Sequence, residues 1–157
     1  LPEIVKSQGQ VLVTSSIYAF ANGVLNARYA MSKSGVESFG RSLRAELAGT
    51  GASASVLYPG WIQTPMTTVA FGANATASTL IEKAFPAALR QLITPEIVAT
   101  AVARGLNRRA ARIIVPRRWS PMSVLRGLLN IYTDRMFDKR EDLQKLVKRA
   151  ENEAQNT

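Results

Sequence analysis

Cysteine and histidine are both absent from this 157-residue chain. Without cysteine the chain can form no disulfide, no thiolate metal site and no cysteine nucleophile. Without histidine it cannot build a histidine-based catalytic triad, and we expect no metal site. Any chemistry that these residues perform must therefore rest on tyrosine, lysine, serine and the carboxylates.

Long apolar runs and a glycine-rich phosphate turn are also missing. No apolar run approaches the ~20 residues that a helix needs to cross a bilayer. The turn that receives a dinucleotide's pyrophosphate at a helix N-terminus cannot be found either. What the chain does have is 46% hydrophobic residues, which at this length can form one core.

Tyr29 and Lys33 stand four residues apart in a segment that is typical of a helix, so they share one helical face. A neighbouring ammonium group favours the phenolate form of a tyrosine, and Tyr29 could then exchange a proton with a substrate oxygen. Thirteen residues before Tyr29, Ser16 ends an apolar run that predicts a buried strand. Such a strand delivers its last residues to the sheet edge where ligands bind in α/β folds. This pattern predicts a site for carbonyl or alcohol redox chemistry.

The same residues carry a family resemblance. The strand that ends at Ser16, the YxxxK pair, a helix rich in small residues and a second strand leading into the turn at 59–64 follow one another in a fixed order. In that order the chain resembles the C-terminal half of the short-chain dehydrogenases/reductases. The resemblance implies an α/β fold, namely part of a Rossmann-like, doubly wound parallel sheet. It also implies hydride transfer between NAD or NADP and a carbonyl or secondary alcohol.

The resemblance implies roles for individual residues. Ser16 would polarise the substrate carbonyl, Tyr29 would be the acid/base, and Lys33 would bind the nicotinamide ribose. The family's PGxxxT turn contacts the nicotinamide amide. Cofactor contacts are therefore expected from Tyr29, Lys33 and the residues that match this turn, which are Pro59, Gly60, Ile62 and Thr64.

The helix that carries Tyr29 is rich in small residues, which permit another backbone to approach closely. In the family the equivalent helix joins a second subunit, so the resemblance implies a homo-oligomer. Close packing of this helix against the chain's own sheet is an equally good interpretation.

Residues 1–116 are expected to form the C-terminal part of a Rossmann domain. Within it, the loosely patterned and partly apolar segment 65–93 occupies the position of the family's substrate lid, which suggests an apolar substrate. Thr94, Pro95 and Glu96 predict a helix start, and residues 112–115 predict a last strand.

Residues 117–157 are predicted to form a basic, amphipathic helical tail. Residues 104–149 contain 13 basic and 4 acidic residues and so carry the whole net charge of +9. We expect the apolar stripe of the tail, which runs from Met122 to Phe137, to pack against the core or a partner subunit. Docking to a membrane surface or closing a lipophilic substrate pocket is the minority alternative, and nucleic-acid binding is not expected because no such motif is present. The expected location is the cytoplasm, with membrane association as the alternative.

The leading interpretation is an NAD(P)-dependent oxidoreductase that acts on an apolar alcohol or carbonyl compound. A catalytically silent fragment is the main alternative, because the sequence contains the nicotinamide end of the family's site and lacks the pyrophosphate end. A binding module built on the basic tail is the weaker alternative.

Overall fold

The computed structural model describes residues 1–21, 23–65, 67 and 75–155. In this part of the chain, three parallel strands form one sheet in the order β1-β2-β3. They are β1 (Gln10–Thr14), β2 (Ser53–Pro59) and β3 (Arg112–Val115). The central strand β2 is buried over most of its length, which is expected of a parallel strand covered on both faces.

Helices connect and extend the strands. They are α1 (Pro2–Lys6), α2 (Ala27–Glu46), α3 (Ala75–Ala84), α4 (Ala87–Arg90), α5 (Pro95–Asn107), α6 (Ser120–Asp138) and α7 (Glu141–Gln155). Single turns of 3-10 helix span Ile17–Ala19 and Arg117–Trp119. The α/β class with a parallel sheet is thus confirmed. None of the helices, within the described residues, is long and apolar enough to span a membrane.

The two long connecting helices cover opposite faces of the sheet. Side chains alternate along β2, so that Val56 packs in the cluster beneath α2 and Leu57 packs with α5. Helix α2 lies so close that a Cβ atom at Gly40 would stand 2.4 Å from Val13 Cγ2 and 2.6 Å from Val56 Cγ2. At Gly40, then, the small residue serves packing against the chain's own sheet.

The segment between β2 and α5 passes over the carboxyl edge of the sheet. It starts where β2 ends at this edge, and it leads to α5, which packs on the face of the sheet opposite to α2. The two ends of the passage are joined, because Gln63 N–H donates to the carbonyl of Ile93 (2.9 Å) and Ile93 N–H donates to that of Trp61 (3.0 Å). Helices α3 and α4 lie within the predicted lid, whose residues 66 and 68–74 are outside the described residues.

The tail begins in the core and stays attached to the body. Trp119 is fully buried in the cluster around Tyr58, and Arg126 of α6 donates to both carboxylate oxygens of Glu37 on α2, at 2.8 and 2.9 Å. Glu37 is only 4% exposed, so α6 is fixed on the α2 face of the sheet.

Only part of the apolar stripe of the tail packs against the body of this chain. Its inner members are half-buried, and they are Met122, Leu129, Met136 and Phe137. Leu125, Leu128 and Tyr132 instead face outward, with Leu128 73% exposed. The physical reason is that Arg126 and the buried Ser123 turn their own side of α6 toward the body, so the far edge of the wide stripe points away from it.

Much of the basic excess serves internal contacts. Arg109 donates to the carbonyls of Gly51 (2.7 Å) and Gln8 (2.8 Å), which ties the start of β3 to the two preceding turns. Other arginines of the region bond side chains within the chain: Arg112 to Ser123, Arg126 to Glu37 and Arg140 to Asp142. These cations are therefore held by the fold itself.

Candidate active site

The end of β1 and the first turns of α2 are bonded to each other. The Ser15 hydroxyl donates to the main-chain carbonyl of Lys33 (2.8 Å), and the Lys33 ammonium donates to the carbonyl of Thr14 (3.3 Å). Ser15 is buried, so the first of these bonds is shielded from water. Together the two bonds hold Lys33 at the carboxyl edge of the sheet.

Lys33 lies beside Tyr29. Its ammonium nitrogen is 5.5 Å from the centre of the Tyr29 ring, close enough for a cation–π attraction. Helix α2 produces this arrangement, since residues four apart in a helix share a face. The phenol of Tyr29 is half-buried.

Ser16 lies at the start of the first 3-10 turn. Its hydroxyl accepts the N–H of Tyr18 (3.3 Å), and its side chain is buried. The ring of Tyr18 in turn meets the ring of Tyr29 edge to face, with centroids 5.8 Å apart. Ser16 and Tyr29 are thus joined through one intervening aromatic residue.

Tyr18 was not among the residues that sequence reasoning singled out. Its position two residues after Ser16 is the signal that could have found it. Burial raises the pKa of the Tyr18 hydroxyl, and a hydrogen bond with Asn26 offsets this only in part. The hydroxyl of Tyr18 therefore stays protonated at neutral pH.

The turn after β2 leaves the sheet next to Ser16. Ser15 N–H donates to the carbonyl of Leu57 (2.9 Å), so the chain after β1 runs beside the end of β2. Gly60 N–H donates to the carbonyl of Val115 (2.8 Å), and a Cβ atom at Gly60 would stand 2.9 Å from Trp119 Nε1. A glycine is required here because the Trp119 indole comes so close.

The second half of this turn is organised by Thr67, which sequence reasoning also missed. The Thr67 hydroxyl donates to the carbonyl of Ile62, and Thr64 N–H donates to the Thr67 hydroxyl oxygen (3.0 Å). The sequence signal is a second threonine three residues after Thr64, a spacing at which hydroxyl groups commonly bond the local backbone. Ile62 and Thr64 are both half-buried.

A cavity of about 210 Å³ lies between the lid and the loop that precedes α2. Its wall is mostly apolar, with Asn26 as the polar contribution from the loop. The lining residues are Tyr18, Val24, Leu25, Asn26, Leu80, Ile81, Ala84 and Phe85. Tyr18 links the cavity to Tyr29, because it lines the one and contacts the other.

The side chains at this edge fit one end of a dinucleotide. An ammonium group and a phenol can each donate a hydrogen bond to the hydroxyl oxygens of a ribose. Lys33 and Tyr29 present this donor set at the carboxyl edge of a parallel sheet, the edge where nucleotides bind in such folds. The set is chemically suited to a ribose of a dinucleotide.

Comparison with known proteins agrees with a nucleotide-binding α/β fold. The family model of short chain dehydrogenases matches residues 1–75, which include β1, α2, β2 and the turn after it. The chain belongs to the short-chain dehydrogenase/reductase family. The family's matched region thus contains Ser16, Tyr29 and Lys33.

Individual relatives of this short-chain dehydrogenase/reductase chain are named as dehydrogenases and reductases. It is 51% identical over 53 residues, or 34% of its length, to the 1-deoxy-11-beta-hydroxypentalenate dehydrogenase of Streptomyces exfoliatus, covering 19% of that protein. It is 33% identical over 108 residues, or 69% of its length, to the 3-oxoacyl-[acyl-carrier-protein] reductase FabG of Vibrio cholerae, covering 42% of it.

A solved structure shares the fold. The short chain dehydrogenase from Mycobacterium paratuberculosis bound to NAD superposes with a TM-score of 0.58 at 26% identity. The match covers 73% of this chain and 46% of that one. The chain thus spans less than half the length of each of these three proteins.

Proposed function

We propose that this chain supplies the substrate side and the nicotinamide end of the active site of an NAD(P)-dependent oxidoreductase that interconverts a secondary alcohol and a carbonyl compound. The observation that carries the proposal is the position of Lys33. Its ammonium lies 5.5 Å from the ring centre of Tyr29 and is anchored to the end of β1. Such an anchored cation beside a phenol is suited to acid/base work on a substrate oxygen.

The proposed chemistry assigns one proton and one hydrogen bond to this chain. In alcohol oxidation the Tyr29 oxygen takes the proton from the substrate hydroxyl, and in carbonyl reduction it returns that proton. The Ser16 hydroxyl donates a hydrogen bond to the same substrate oxygen. Lys33 stabilises the negative charge that Tyr29 carries after giving up its proton.

Lys33 and Tyr29 would hold the nicotinamide ribose of NAD or NADP, and the turn formed by Pro59, Gly60, Ile62 and Thr64 would hold the nicotinamide amide. The cofactor, when bound, accepts or supplies the hydride. The fixed geometry of the turn supports this assignment, since Thr64 is bonded to Thr67 and Gly60 to Val115.

The cavity beside Tyr18 supports an apolar substrate body. Its ~210 Å³ is somewhat larger than the roughly 150 Å³ apolar cavity that admits benzene in another protein. A cyclic or short branched alcohol therefore fits, with its oxygen directed toward Tyr29 and its apolar part against Leu80, Ile81 and Phe85.

The Tyr29→Phe variant tests the proposal in a full-length protein that contains this chain. We expect NAD(P)-linked oxidation of a panel of secondary alcohols to fall by about 10²- to 10⁴-fold, because the variant lacks the proton acceptor. The dissociation constant of the cofactor should change far less, since the variant loses only one hydrogen-bond donor to the ribose while Lys33 and the turn at 59–64 remain. Tyr132→Phe is the matched control: it removes the hydroxyl of a 67% exposed tyrosine on α6 and should leave turnover unchanged.

Turnover by Tyr29→Phe within about twofold of the wild-type value would refute the assignment, because a general acid/base contributes far more than that. Loss of turnover in Tyr132→Phe as well would point to a general defect of folding.

A homo-oligomer in the cytoplasm completes the proposal. On α2, Met31 and Phe39 are exposed large apolar residues, and a Cβ atom at Gly35 would meet no other atom within 4 Å. This side of α2 is thus open to the same helix of a second subunit. Sedimentation equilibrium of Met31→Asp/Phe39→Asp tests it, because two added carboxylates should dissociate such a dimer.

The silent-fragment alternative rests on a different observation. The described residues contain no glycine-rich turn that joins a strand to a helix N-terminus. Calorimetric titration of the isolated 157-residue chain with NAD and NADP addresses it. We expect no binding at micromolar cofactor concentration, since the pyrophosphate would lack its usual site.

A further inference from the structure

The lid helix α3 contacts the cavity on one face and another helix on a second face. One face lines the cavity through Leu80, Ile81 and Ala84. Another face meets α7, the last helix of the chain, which is attached to α3 at both of its ends. The second contact has no part in the acid/base chemistry at Tyr29.

The C-terminal end of α3 is bonded to the start of α7. Arg140 donates from Nε and Nη2 to the two carboxylate oxygens of Asp142, both at 2.7 Å, and Lys83 Nζ lies 3.4 Å from Asp142 Oδ2. The Arg140 guanidinium also donates to the main-chain carbonyl of Lys83 in the last turn of α3 (3.4 Å). A cation at this position is favourable because helix C-termini carry partial negative charge.

The N-terminal end of α3 is bonded to the far end of α7. The Thr76 hydroxyl donates to Glu153 Oε1 (3.2 Å). Thr76 and Lys83 are seven residues apart and Asp142 and Glu153 eleven, or about two and three helical turns, so each pair shares a helix face. Because the start of one helix meets the end of the other, the two helices run antiparallel.

We propose that α7 is a clamp that holds α3 over the cavity, and that Asp142 and Arg140 are positioning residues which determine how bulky a substrate the site retains. The inference rests on the proposed function, in which the cavity receives the substrate's apolar part. A helix bonded at both ends is restrained against pivoting and sliding, whereas one bonded at a single end is freer to do both. Without the clamp, Leu80 and Ile81 pack less closely against the apolar part of a bound substrate.

Hydrogen exchange measures the clamp without any catalysis. In Asp142→Asn, the amides of α3 should exchange about two- to fivefold faster, the factor that corresponds to loss of a partly exposed ion pair. Asp142→Glu keeps the charge and should retain most of the protection. Lys148→Gln is the control, because it removes an exposed charge from the same helix on a side away from Asp142 and Glu153. Equal exchange of α3 in Asp142→Asn and wild type would overturn the clamp.

Kinetics measures its effect on substrate choice in a full-length protein that contains this chain. For Asp142→Asn, the KM for cyclohexanol should rise about two- to fivefold with little change in kcat, while the KM for propan-2-ol stays unchanged. An equal rise for both alcohols, or a fall in kcat alone, would overturn the proposal. If the wild-type protein oxidises neither these nor other alcohols, the proposed function fails, and the exchange experiment still decides whether α7 holds the lid.

Discussion

The same substitution at two glycines of α2 should have different effects on stability. Gly35 and Gly40 both lie inside this helix, five residues apart. A Cβ atom at Gly35 would meet nothing within 4 Å, whereas one at Gly40 would stand 2.4 Å from a methyl group of Val13 and 2.6 Å from one of Val56. The pair therefore separates helix propensity from the close approach of α2 to the sheet.

The magnitudes follow from two effects. Replacing glycine by alanine inside a helix favours the folded state by about 1 kcal/mol, and this gain is the same at both positions. At Gly40 the added methyl group must displace two valine side chains, which are stiff at χ1, and such overpacking costs about 1–3 kcal/mol. Gly35→Ala should thus stabilise the protein by about 1 kcal/mol, and Gly40→Ala should be less stable than Gly35→Ala by about 1–3 kcal/mol.

Urea denaturation followed by circular dichroism measures this difference, with unchanged m values as the sign that only stability has changed. A difference of about 2 kcal/mol corresponds to about 4–8 °C in melting temperature for a chain of this size. If Gly40→Ala proved as stabilising as Gly35→Ala, α2 would not lie against Val13 and Val56 as described. The placement of Tyr29 and Lys33 at the strand ends would then lose its support.

Two further predictions concern charged and titrating groups. Arg126→Met should destabilise the protein by about 1–3 kcal/mol in urea denaturation, because the buried carboxylate of Glu37 loses its close partner, and Arg126→Lys should recover part of the loss; an unchanged midpoint would contradict this. Burial raises the pKa of the Tyr18 hydroxyl in the folded protein above its value of about 10 in the unfolded chain. The stability that the protonated hydroxyl contributes is therefore fully present below about pH 10, and it is lost as the pH rises through the higher pKa of the folded state. Denaturation midpoints measured from pH 8 to 11 should therefore fall less steeply for Tyr18→Phe than for wild type, and equal slopes would refute the assignment.

Local pattern was sufficient for the elements that carry the site. The apolar run before Ser16, the helix signal around Tyr29 and the Pro-Glu start at residue 95 predicted the strand β1 and the helices α2 and α5 that the structure contains. Each of these signals depends on neighbours within about one to four residues, so no distant contact is needed to read it.

The sequence by itself determined the class of fold, the order of the elements and the family, because alternation, helical spacing and motif order are properties of the linear chain. Only the tertiary structure decided that Gly40 packs against the sheet, that Arg126 pairs with Glu37 and that α7 lies along the lid helix. Those contacts join residues up to 89 positions apart, and many pairings of charges at such separations are compatible with one sequence pattern. Which of them forms depends on how the helices pack on the sheet.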